Sequence, residues 1–82
     1  MSTLFDKKFY EVFTDDELKY LENISVASGK NCLCITDNDF FIEISSDISD
    51  ELEITYSKDN ISKILTKEEL FGIVRILEKW KN

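Results

Sequence analysis

Between residues 32 and 57 apolar and polar side chains alternate in short runs, and the segments joining them are too short for anything but hairpins. Phe40, Ile42 and Ile44 alternate with Phe41, Glu43 and Ser45, and Leu52, Ile54 and Tyr56 with Glu51, Glu53 and Thr55. A period of two carried by β-branched and aromatic residues is the pattern of a half-buried strand. Residues 32–36 read as a further strand and residues 24–28 as a weaker one. Ser28-Gly29-Lys30-Asn31, Thr36-Asp37-Asn38-Asp39 and the stretch from Ser45 to Asp50 are rich in turn formers. A parallel crossover needs a dozen or more residues, so these neighbours pair antiparallel.

The two ends of the chain follow another rule. Phe13-Thr14-Asp15-Asp16-Glu17-Leu18 and Leu65-Thr66-Lys67-Glu68-Glu69-Leu70 have the same form. In each, the threonine hydroxyl is placed to accept from the N3 amide, and the N3 glutamate to reach back to the cap amide. Each also has an apolar residue at N′ that can staple onto N4. The second box opens a helix over 67–80, with Leu70, Ile73, Val74, Leu77 and Trp80 recurring at three- and four-residue steps. The first opens a shorter helix over 15–23, with Leu18, Leu21 and Tyr20 inward. Phe5, Phe9 and Phe13, four apart, predict a helix over 4–12, with a strand over 8–13 as the alternative. Asp59 or Asn60 is expected to cap one more helical turn carrying Ile61, Ile64 and Leu65.

Together these segments predict an α+β fold in one small domain. It is an antiparallel meander of three to four strands (24–28, 32–36, 40–45, 51–57) with helices at 4–12, 15–23 and 67–80 on one face. A chain of 82 residues buries roughly 63% of its unfolded surface, enough for one modest core.

Charge narrows the function. The formal net charge is −7, which argues against direct binding to nucleic acid or an anionic membrane, both of which call for a basic patch. Residues 31–59 hold eight acids (Asp37, Asp39, Glu43, Asp47, Asp50, Glu51, Glu53, Asp59) and one base, Lys58. If Ile42, Ile44, Leu52 and Ile54 face the helices, then Glu43, Glu51 and Glu53 share the opposite face with Phe41 and Thr55. Like charges on one face repel and contribute nothing to folding. Such a face either keeps a small protein dispersed or serves a partner, with Phe41 as an interface anchor. The candidate partner-binding residues are Asp37, Asp39, Phe41, Glu43, Asp47, Asp50, Glu51 and Glu53.

Catalytic equipment is scarce. There is no histidine, the commonest general base and metal ligand. Two glycines, Gly29 and Gly72, cannot form a phosphate-cradling loop. Paired carboxylates need an enclosing pocket to split their pKa values, and a small meander offers little concave volume. No enzyme activity is expected. Asp37-Asn38-Asp39 is similar to the start of a calcium loop, but Ile42 and Ile48 stand where that loop needs glycine and glutamate. Cys32 and Cys34 point to one side of a strand, yet structural zinc takes four ligands and no other Cys or His is present. The two thiols are expected to be structural, and no metal or cofactor is expected. No apolar run approaches the length of a membrane span, and the opening residues lack the order of a secretory signal. The expected compartment is the cytosol, with both thiols reduced.

The expected function is that of a non-catalytic, stoichiometric inhibitor whose acidic face occupies a basic, nucleic-acid-binding groove of a partner protein. In general character the chain resembles phage-encoded counter-defence proteins, DNA mimics and CRISPR inhibitors among them, although no motif ties it to one such family. Abundant Ile, Lys, Asn, Phe and Tyr, with Ala, Gly, Arg and Pro totalling four residues, fit the AT-rich codon bias of low-GC bacteria and many of their phages. The alternatives are an immunity or antitoxin protein neutralising a toxin such as a nuclease, and a homodimeric regulatory or structural module.

Overall fold

The computed structural model describes residues 5–46 and 51–81, and of 77–81 the helical backbone only. The elements in order are α1 (Lys7–Val12), α2 (Asp15–Ile24), β1 (Ala27–Ser28), β2 (Cys32–Thr36), β3 (Phe41–Ser46), β4 (Leu52–Lys58), β5 (Ile61–Ile64) and α3 (Lys67–Lys81). The five strands form one antiparallel sheet in chain order, β1-β2-β3-β4-β5. The α+β meander is therefore as expected, with one strand more.

Both capping boxes form. The Thr14 hydroxyl accepts from the Glu17 amide (3.2 Å) and the Glu17 carboxylate from the Thr14 amide (2.8 Å). Thr66 and Glu69 repeat the exchange at 3.1 and 2.9 Å. All four staple residues, Phe13, Leu18, Leu65 and Leu70, are buried.

The first helix starts later than its aromatic spacing predicts. Asp6 caps it, its carboxylate accepting from the Lys7 amide at 2.6 Å. Phe5 and Phe13 thus flank the helix, and the Phe5 and Phe9 rings stack at 4.7 Å. Asp6 also fixes the helix to the sheet. Its carboxylate accepts from the Ser46 hydroxyl at 3.1 Å, and its amide donates to the Lys30 carbonyl at 2.7 Å.

Two expectations about the sheet need correction. The strand predicted at 24–28 is only Ala27–Ser28, because Ile24 completes α2 and half-buries its side chain there. The helical turn predicted after Asp59 or Asn60 is instead β5. Asp59 and Asn60 have φ of 52° and 69°, and Lys58 pairs directly with Ile61. A two-residue loop with both φ values positive is the hairpin connection whose twist matches that of the strands, and Asp and Asn are the non-glycine residues that best tolerate it. The backbone at 59–60 therefore overrides the three-residue spacing of Ile61 and Ile64.

Leu33, Ile35, Ile42, Ile44 and Ile54 point to one side of the sheet and are buried with Phe9, Leu18, Leu21, Leu70 and Val74 of the helices in a single core. Lys67 links the three helices. Its ammonium donates to the Val12 carbonyl at 3.0 Å, pairs with Glu17 at 2.9 Å and lies 5.7 Å from the Phe13 ring centre. The roles predicted for Leu77 and Trp80 lie outside the described side chains.

Candidate functional site: the open sheet face

The register decides which residues share the face opposite the helices. Thr36, Phe41, Ser57 and Ser62 form one cross-strand row, Cys34, Glu43, Thr55 and Ile64 the next, and Cys32, Ser45 and Glu53 a third. None of these side chains is buried, so the face is open over β2 to β5. It carries two carboxylates and no lysine or arginine. Phe41 stands on it with 39% of its surface exposed.

The predicted site residues do not form one patch. Glu43 pairs with Thr55, and Glu53 with Ser45, so the two carboxylates are diagonal neighbours. Glu51 precedes β4 and is exposed. Asp37 and Asp39 lie in the β2–β3 turn, where the Asp37 amide donates to the Phe40 carbonyl at 2.9 Å. They line a shallow depression of about 520 Å³ together with Phe41, Lys58, Asp59 and Asn60 from the neighbouring hairpin. Asp47 and Asp50 lie outside the described residues. Among the described residues, the acids of the sheet half are thus divided between Glu43 and Glu53 on the open face, Glu51 ahead of β4, and an end where Asp37, Asp39 and Asp59 lie with Lys58.

One grouping was not foreseen from the sequence. The Cys32 and Cys34 sulfurs are 3.6 Å apart, and the Cys32 thiol donates to Glu43 Oε2 at 3.5 Å. Glu43 lies directly opposite Cys34. The signal was present in the sequence: a hairpin closed by residues 37–40 places Thr36 opposite Phe41, and so Cys34 opposite Glu43. Partial burial, then the neighbouring Cys34 thiol and the Glu43 carboxylate, push the Cys32 thiol up to about 12. Without a bound cation it is therefore a neutral thiol and a poor nucleophile.

A second concavity lies between α2 and α3. It measures about 640 Å³ and is lined by Asp16, Glu17, Tyr20, Lys67, Glu68, Phe71, Gly72 and Arg75. Its carboxylates are exposed or half-buried, and Glu17 is engaged by its capping box and Lys67.

Among the described residues no helix is long and apolar enough to cross a membrane. Compared with protein-family models, curated proteins and solved structures, the chain matches none.

Proposed function

We propose that this chain is a non-catalytic, acidic protein-binding inhibitor that lays its open sheet face against a basic, nucleic-acid-binding surface of a partner protein, in the manner of phage counter-defence proteins. The observation that supports this reading is the asymmetry of the sheet. One face is filled by the helices. The other is open, bears carboxylates without cations, and presents Phe41 beside the acidic end at Asp37 and Asp39. An exposed aromatic residue beside an end where Asp37, Asp39 and Asp59 outnumber the one cation, Lys58, combines an anchor with electrostatic steering. The carboxylates are too dispersed for an unbroken imitation of a phosphate track, so Phe41 shares the recognition. The protein would act in a reducing cytosol, with both cysteines as thiols.

The test is capture from lysate of the source cells at about 0.15 M and about 0.5 M salt, where the screening length falls from about 8 Å towards 3 Å. The wild-type chain is expected to recover a basic nucleic-acid-binding protein at low salt and release it at high salt. The triple reversal Asp37→Lys, Asp39→Lys, Glu53→Lys is expected to recover none of it. Retention of the same partner by the triple variant at both salt concentrations would overturn the proposal.

The homodimer reading is favoured by one observation. Ile61 and Ile64 are 70% and 59% exposed on β5, a strand at the edge of the sheet, and exposed apolar edges invite strand pairing. A dimeric mass by light scattering that reverts to the monomer in Ile64→Lys would support that reading.

A further inference from the structure

We propose that Cys32, Cys34 and Glu43 form a binding site for a thiophilic divalent cation of the Zn2+ class, held by three protein donors with a fourth position open to water. The site does not depend on the partner-binding reading above. It rests on the convergence of three donor atoms, all within 4.8 Å of one another, on two adjacent strands.

Two of the three donor edges match those of a tetrahedral zinc site, and the third, from Cys34 Sγ to Glu43, is within 4.8 Å. With Zn–S bonds of about 2.3 Å and a Zn–O bond of about 2.0–2.2 Å, a tetrahedral site has an S···S edge of about 3.8 Å and an S···O edge of about 3.5 Å. The corresponding separations are 3.6 Å between the sulfurs and 3.5 Å from Cys32 Sγ to Glu43 Oε2. The backbone already holds the donors in place. Cys32 and Cys34 are two apart on β2 and share a face. Glu43 is the direct cross-strand partner of Cys34 and the diagonal neighbour of Cys32, within reach of a long side chain.

The donor set selects the cation. Two sulfurs disfavour calcium and magnesium, which take oxygen ligands, and a carboxylate beside them suits zinc better than copper(I). A local disulfide is the competing use of these cysteines. Residues two apart on an extended strand are separated by about 6.6–6.8 Å at Cα, the upper limit for a bridge, so oxidation would distort β2. No ammonium or guanidinium occupies an outward position of β2 to β5 to compete for Glu43. All three ligands are half-buried on the open face, which leaves the fourth direction accessible to water.

The experiment titrates the full chain, reduced with a phosphine, with Zn2+ against a chromophoric chelator and separately with Co2+ by absorption. One cation per chain is expected, with a sulfur-to-cobalt charge-transfer band in the near ultraviolet and visible bands of tetrahedral intensity. Cys32→Ser and Cys34→Ser are each expected to weaken Zn2+ binding by more than about 100-fold, beyond the roughly 10–100-fold of a change outside the ligand set. Glu43→Gln, which replaces a charged oxygen donor with a neutral one, is expected to weaken it by more than about 100-fold as well, and Glu53→Gln, on the same face outside the trio, to leave it unchanged. Glu43 is half-buried on the open face and lies outside the core, so circular dichroism of the Glu43→Gln variant is expected to match wild type. An octahedral cobalt spectrum, one cation per two chains, or affinity unaltered by Glu43→Gln would overturn the assignment.

Discussion

Glu17 serves two neighbours with one carboxylate, the Thr14 amide at 2.8 Å and the Lys67 ammonium at 2.9 Å. Both favour its charged form. The hydrogen bond from the Thr14 backbone is the larger influence, and together they hold the group below its ordinary value of 4.5. A carboxyl group that ionises more readily in the folded state adds stability above its unfolded pKa and loses it as pH falls through the lowered folded value. The glutamine in Glu17→Gln imitates the protonated acid. It is expected to cost up to about 1 kcal/mol near neutral pH, the scale of an exposed pair, and the difference from wild type should vanish towards pH 3. Urea denaturation of both proteins across that range checks this; a gap that persisted at low pH would show that the charge is not responsible. This part of the structure was fully legible in the sequence, because a capping box spans four residues and needs no distant information. The link from Glu17 to Lys67 was not, since the two residues are fifty apart and meet only once both helices lie on the sheet.

At the level of elements, what could be read depended on which interactions were local. The alternation of β3 and β4 assigned every buried isoleucine of those strands to the correct face. β5 is not legible in the sequence, because Ile61 and Ile64 suit a helical turn as well as a strand and the backbone of Asp59 and Asn60 decides between them. Asn60→Val is expected to destabilise the protein by about 1–2 kcal/mol, the cost of left-handed backbone at a residue poorly suited to it, whereas Asn60→Gly should lose nothing. Denaturant titration distinguishes the two, and equal losses would count against a hairpin turn at this position. The candidate site shows the same dependence on register. The sequence concentrates acids in the sheet half, but pairing sets Glu43 against Cys34 and Thr55, and Glu53 against Ser45. Dispersal of the carboxylates and assembly of the sulfur cluster are two results of one register.

Across the whole molecule, every strand pairs only with its neighbours in the chain, through connections of two to five residues. The contacts joining the helices span far more chain: Tyr20 Oη donates to the Val74 carbonyl at 3.5 Å, and Lys67 to that of Val12. This division has a kinetic consequence. Closing a short loop costs little entropy and closing a long one more, so the meander should be the part of the chain already ordered at the folding barrier, with the helices docking on its downhill side. Stopped-flow chevrons are expected to show that Asn60→Val slows folding, while Tyr20→Ala leaves the folding arm nearly unchanged and steepens the loss by faster unfolding. The reverse pattern would mean that the helices nucleate and the sheet follows. On the expected order, the life of the native state is set by how long the two ends of the chain stay docked, even though its formation is begun by the middle.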